Sequence, residues 1–153
     1  MVIVTKKPNY SKLDIDRLES PLYIIAKENC FGKLFRWRDN VKILNLGSLN
    51  VDITYLVDHV VAPGETIKAS RRERFCGGKG LNQSIALAKA GAQVYHAGCI
   101  GRDGEMLSAM LRNAGVDIRF LEQVDEPSGH AIIQVDENGQ NSIVIYGGAN
   151  TCV

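Results

Sequence analysis

The chain has 153 residues, 18 basic against 17 acidic side chains, 45% hydrophobic residues and 15 glycines. This near-neutral mixture excludes disordered and collagen-like chains, and it gives no global attraction to nucleic acid or anionic lipid. The length suits one domain of common size, roughly 100–150 residues, and no apolar run approaches the ~18 residues of a membrane span.

Met1 to Pro8 carries the Lys6-Lys7 pair after its apolar residues and leads into no hydrophobic region. It is a poor secretion signal, and the expected compartment is the cytoplasm. Cys30, Cys76, Cys99 and Cys152 are far apart with no Cys-x-x-Cys pair. Reduced, mostly buried thiols are expected rather than a zinc site.

Residues 1–40 form a basic extension in which Lys6, Lys7, Lys12, Arg17, Lys27, Lys33, Arg36 and Arg38 outnumber the acidic side chains. Leu13, Leu18, Leu22 and Ile25 fit one face of a short helix that Pro21 would cap or break. The extension is expected to pack on the main domain. The alternative, part of a small DNA-binding module, finds no helix-turn-helix pattern, so nucleic acid is not an expected partner.

The pattern changes at Val41, and residues 41–153 make up the main unit. Val41 to Leu46 is a short apolar run ending in Gly47-Ser48, which predicts a buried strand entering a tight loop. Ile53 to Val61 and Ile67 to Phe75 are β-rich and flank the turn Ala62-Pro63-Gly64-Glu65, predicting a strand pair or an extended flap. Gly77-Gly78-Lys79-Gly80 opens a helix over Leu81 to Ala90, closed by Gly91. A strand follows over Gln93 to Ile100. Asp103 to Ala114 predicts a helix whose buried face carries Met106, Leu107, Met110, Leu111 and Ala114. Ala131 to Asp136 and Ser142 to Tyr146 flank Asn138-Gly139, a hairpin signature, and Gly147 to Asn150 is loop-like. Alternating strands and helices imply an α/β layer architecture.

Two clusters can carry chemistry. Glycines at 77, 78 and 80 remove the Cβ atoms that would hold a ligand off the backbone, and they leave N–H groups open at a helix start. The spacing is neither that of a P-loop nor Gly-x-Gly-x-x-Gly, and taken alone such a turn is more often purely structural. Asn50 and Asp52 follow the first strand. They offer an amide and a carboxylate at alternate positions, suited to vicinal hydroxyls, although an Asx turn is an equal alternative.

Taken together, Gly47, Ser48, Asn50 and Asp52, then Pro63-Gly64-Glu65-Thr66, then Gly77 to Gln83 with the small residue Ser84, the spaced Gly91 and Gly101, Asp103 to Glu105, and Gly147 to Asn150 resemble a known pattern. It is the amino-terminal half of the ribokinases, in the PfkB carbohydrate kinase family, in register from about Val41 to Asn150. The resemblance implies a ribokinase-like α/β fold, a partial doubly wound sheet with a small β-sheet lid formed by segments 53–75 and 131–146. It implies that Asn50 and Asp52 hold sugar hydroxyls, that Gly78 and Lys79 close over the sugar, and that Asn82 adds a contact. Leu81 and Ser84 replace alanines common in the family, and Cys76 precedes the glycines.

The family's second signature, Asp-Thr-x-Gly-Ala-Gly-Asp, supplies the general base and an anion hole, and it does not occur in these 153 residues. The resemblance therefore implies phosphoryl transfer from ATP, with Mg2+, to ribose or a related sugar in a complete enzyme. No catalytic residue, metal ligand or tight nucleotide site is expected in this truncated chain, which is expected to be inactive alone. A non-catalytic sugar-binding or regulatory module and one half of a split kinase are the other readings. The lid and an unfinished sheet imply a homo-oligomer. Ribose is the expected sugar, although ribokinases and their relatives share these loops.

Overall fold

A computed structural model describes the backbone of Leu22–Ile24 and residues 42–153. The expectations for Leu13, Leu18, Ile25 and the rest of the extension fall outside the described residues. Leu22 does not join a helix. Strand β1 (Leu22–Ile24) pairs parallel with β2 (Lys42–Leu46), with Leu22 opposite Lys42 and Ile24 opposite Leu44.

The chain then alternates between two sheets. After β2 come β3 (Asn50–Leu56), β4 (Arg71–Gly77), α1 (Lys79–Lys89), β5 (Gln93–Ile100), α2 (Glu105–Asn113), β6 (Asp117–Gln123), β7 (Gly129–Val135) and β8 (Asn141–Tyr146). One sheet is all parallel, in the order β1-β2-β5-β6, and the other runs β4-β3-β7-β8. In the second sheet β3 and β7 are parallel, while β4 and β8 run antiparallel on the outside. The predicted strand pair and hairpin are therefore the two halves of a single sheet.

Burial explains the parallel sheet. Val94 through Ile100 are all buried, as expected of a central strand covered on both faces. On one face, Leu81 from α1 and Leu107 and Leu111 from α2 pack with Leu49, Val51, Val94, Ile100 and Val116. On the other, Leu44, Tyr95 and Ala97 meet Leu46 and Phe120, with the Tyr95 and Phe120 rings 6.1 Å apart. Burying each such aliphatic side chain contributes about 1.5–3 kcal/mol.

Both helices stop the same way. The N–H of Ala92 reaches back to Leu87 O at 3.1 Å and that of Gly91 to Ala88 O at 2.9 Å; Val116 reaches Leu111 O at 3.0 Å and Gly115 reaches Arg112 O at 2.9 Å. This double closure needs a left-handed residue after the cap, and Gly91 and Gly115 have φ of 89° and 80°.

Several expectations need correction. Strand β3 starts at Asn50, so Asn50 and Asp52 belong to a strand and not to an Asx-turned loop. The strands of the second sheet lie within 50–77 and 129–146, stretches that contain the segments 53–75 and 131–146. Strand β6 was not anticipated, because its buried positions are only partial and charges interrupt them. Met110 is 43% exposed instead of lying on the buried face of α2. The tail forms a 3-10 helix over Gly148–Cys152. Of the described cysteines, Cys99 is buried, Cys76 intermediate and Cys152 exposed, so these three are not mostly buried, and Cys30 lies outside the described residues. No helix among the described residues is long and apolar enough to cross a membrane.

Candidate functional site

The site forms where the chain leaves the parallel sheet. Residues 47–50 link β2 to β3, and residues 77–80 link β4 to α1; these two links pack backbone against backbone. A Cβ on Gly80 would lie 2.6 Å from Gly47 Cα and 2.7 Å from Ser48 N, and one on Gly78 would lie 2.5 Å from Ser48 O. Gly78 also has φ 97° and ψ 137°, a conformation nearly confined to glycine. The N–H of Leu81 donates to Ser48 O at 3.1 Å, so the first turn of α1 is tied to the preceding strand exit. No side chain caps that helix start.

A buried polar network holds this junction from beneath. Asn45 Nδ2 donates to Gly80 O at 2.8 Å and to Ser84 Oγ at 2.7 Å, and Ser84 Oγ lies 2.7 Å from His96 Nδ1. Asn45, Ser84 and His96 are each at most 1% exposed. Because the Asn45 amide nitrogen only donates, the Ser84 hydroxyl accepts from it and turns its own hydrogen toward His96 Nδ1. His96 is then the neutral tautomer with its proton on Nε2. Burial pushes its pKa down to about 4, with the Gly47 carbonyl opposing weakly outside good hydrogen-bond geometry. Sequence reasoning noticed Ser84 as the small residue ending the glycine motif and as a departure from alanine, and it missed Asn45 and His96. Their signal was faint: an amide and an imidazole inside otherwise apolar strands.

Asn50 and Asp52 sit two residues apart on β3, so their side chains share a face. Opposite them on that face are Gly77 and Phe75 of β4 and Gly129 and Ala131 of β7. A Cβ on Gly77 would collide with the Asp52 carboxylate, and one on Gly129 would lie 2.6 Å from Asn50 Oδ1. Two glycines thus make room for the amide and the carboxylate. Burial raises the Asp52 pKa, and the carboxylate has no hydrogen bond or ion pair to another described residue. Such a group is an acceptor in want of donors.

Asn50, Asp52, Gly77 and Gly78 are therefore brought together. Lys79 and Asn82 follow on the first turn of α1, three positions apart and both exposed, on one side of that turn. Asn150, missed as a site residue, enters from the 3-10 helix: its Oδ1 accepts from Leu49 N at 2.8 Å, and its Nδ2 donates to Leu49 O at 3.1 Å and Asn50 Oδ1 at 2.8 Å.

The loop after β5 fixes where β7 begins. Asp103 Oδ1 accepts from Ser128 N at 2.9 Å, and Ser128 Oγ accepts from Gly101 N at 2.9 Å. The Asp103 pKa is lowered: burial opposes ionisation, and the hydrogen bonds from Ser128 outweigh it. These bonds set Gly129 in register with Asn50.

The model of the pfkB family carbohydrate kinases matches residues 40–153. Among curated relatives, the ribokinase of Arabidopsis thaliana is 38% identical over 110 residues, covering 69% of this chain and 29% of the relative. That of Haemophilus influenzae is 38% identical over 109 residues, covering 69% and 36%. Among solved structures, ribokinase from Cryptococcus neoformans in complex with ADP superposes with TM-score 0.66 at 46% identity, covering 69% of this chain and 34% of that one. Arabidopsis thaliana ribokinase complexed with ribose and ATP superposes with TM-score 0.64 at 37% identity, covering 71% and 36%. The chain spans about a third of the length of these relatives. The fold is a partial ribokinase-like α/β fold, and over most of its length the chain belongs to the pfkB family of carbohydrate kinases.

Proposed function

We propose that this chain supplies the sugar-binding side of a ribokinase-type kinase, with ribose or a related pentose as the ligand. The observation that carries the reading is the Asp52 carboxylate, partly buried, without a donor among the described residues, and seated over Gly77 beside the Asn50 amide. A carboxylate accepts from two hydroxyls, and an amide N–H donates to a third oxygen, which suits a polyol. Gly78 brings backbone close to that ligand without a side chain in the way, and Lys79 and Asn82 add polar ends from the turn that follows.

The second sheet acts as the lid. It carries Asn50 and Asp52 on the face shared with Phe75, Ala131 and Ile145, so that sugar hydroxyls meet the two polar groups while the apolar side chains level with Asp52 on the neighbouring strands exclude water. Water exclusion and orientation of a sugar hydroxyl are the contributions these residues make to a phosphoryl transfer. In the complete kinase, ATP supplies the phosphoryl group and Mg2+ offsets its charge. We assign those ligands and the general base to the remainder of the kinase.

Calorimetric titration of the purified chain with D-ribose tests the reading. Ribose binding is expected, with at least a tenfold loss in Asp52→Ala, since each hydrogen bond to a charged group is worth about 1.5–3 kcal/mol. Addition of ATP and Mg2+ to the chain and ribose is expected to give no sugar phosphate. Ribose affinity untouched by Asp52→Ala, or turnover by the chain alone, counts against the assignment.

A further inference from the structure

The orientation of the Asn50 amide is not free, and Asn150 decides it. Oxygen and nitrogen of an amide are normally assigned from their partners, and here both partners are main-chain groups of fixed polarity. Leu49 N–H can only donate, so the Asn150 atom 2.8 Å from it is Oδ1; Leu49 C=O can only accept, so the atom 3.1 Å from it is Nδ2. That same Nδ2 lies 2.8 Å from Asn50, which must therefore present Oδ1 to it. Polarity thus passes from the Leu49 peptide through Asn150 to Asn50. The Asn50 Nδ2 is left without a hydrogen bond among the described residues, on the strand face that carries Asp52.

The surroundings are built for this contact. Gly129 is buried, and a Cβ there would strike the Asn150 amide and lie 2.6 Å from Asn50 Oδ1. Asn150 is itself held by its N–H to Gly147 O at 3.1 Å, and Ala149 N donates to Pro127 O at 2.8 Å. The three chain crossings at 49–50, 127–129 and 147–150 are thereby locked together around one pair of amides.

We infer that Asn150 is a positioning residue which sets the hydrogen-bonding polarity of Asn50, so that Asn50 meets the sugar as a donor and Asp52 meets it as an acceptor. This rests on the sugar-binding reading above. One sugar position then needs only an acceptor oxygen, while the positions facing Asp52 need a hydroxyl that donates. Monofluoro sugars separate the two, because fluorine cannot donate.

The test uses the full chain and Asn150→Asp, titrated with D-ribose and with its monofluoro derivatives. The substitution keeps an acceptor for Leu49 N–H but offers Asn50 an oxygen, which turns the Asn50 amide over and presents its Oδ1 to the sugar. The unsubstituted chain is expected to hold one fluoro derivative within about tenfold of ribose. In Asn150→Asp that derivative is expected to lose at least tenfold more affinity than ribose does, the loss of one hydrogen bond. A merely structural role weakens all sugars in parallel, and that result overturns the inference.

A second measurement is independent of sugar and of the variant's folding. In the ligand-free unsubstituted chain, NMR is expected to show the Asn150 side-chain N–H protected and coupled through the hydrogen bond to the Asn50 carbonyl. Protection of the Asn50 amide instead overturns the inference even if ribose binds. Absence of ribose binding with the expected coupling removes the sugar reading and leaves the amide orientation standing.

Discussion

His96 should make the stability of this chain depend on pH. It lies in the middle of β5, fully buried, with Nδ1 accepting from Ser84, so the folded chain holds it neutral. Its pKa falls from 6.5 to about 4 on folding, mainly because burial disfavours the charged ring. Between those values the unfolded chain binds a proton that the folded chain does not, so stability is complete above about pH 6.5 and is lost as pH falls toward 4. At ~1.4 kcal/mol per pH unit, the loss from this one group reaches about 3 kcal/mol. Asp52, whose pKa is raised, works in the opposite direction in the same range, and His59, raised by Asp58 and Glu65, loses its contribution as pH rises. The comparison is therefore made against His96→Gln, which cannot ionise and keeps an acceptor for Ser84. Urea unfolding followed by circular dichroism at pH 7, 6, 5 and 4 gives the stability difference between the two proteins. That difference should shift by about 3 kcal/mol across the series, the unsubstituted chain losing more. Parallel pH profiles for the two proteins refute the argument and place the acid sensitivity elsewhere.

Ser84→Ala should cost about 2–4 kcal/mol in the same unfolding assay, because it strands one Asn45 N–H and the His96 Nδ1 in a site without water access. A loss below 1 kcal/mol would mean that the network contributes little, whatever its geometry. Gly78→Ala should destabilise by at least 2 kcal/mol and abolish ribose binding, since it combines a φ of 97° with a Cβ 2.5 Å from Ser48 O; a variant of unchanged melting temperature contradicts this. Ile143, Val144, Ile145 and Tyr146 on β8, an outer strand of the second sheet, are 48–67% exposed, and we propose that the homo-oligomer expected from the sequence associates through this strand. Light scattering should show a dimer or larger species that Ile145→Lys converts toward monomer, and a monomeric parent chain excludes it.

Much of the architecture was legible along the chain because the signals are local. The glycines after α1 and α2 mark helix ends through the sign of φ alone, and the strand read over Gln93 to Ile100 is β5 with the same bounds. The same holds for Asn138-Gly139, where Asp136 Oδ1 accepts the N–H groups of Asn138 and Gln140 and Gly139 takes φ 79°. The failures have a common cause. Strand β6 and the strand character of Asn50 depend on pairing with distant segments, and the exposure of Met110 depends on what faces α2, none of which has a short-range signature.

The sequence by itself determined the family, the order of the elements apart from β1, β6 and the 3-10 tail, and the identity of the amide, carboxylate and glycines at the candidate site, since these are carried by residue type and spacing. Only the tertiary structure decided that β3 and β7 lie side by side, that Gly77 and Gly129 clear space for Asp52 and Asn50, and that Asn45, Ser84, His96 and Asn150 support them. Asn150 stands 100 positions from Asn50. Hydrogen-bond polarity and the desolvation of a carboxylate arise from which groups the packed chain brings within 3 Å, and nothing in the order of the residues states that.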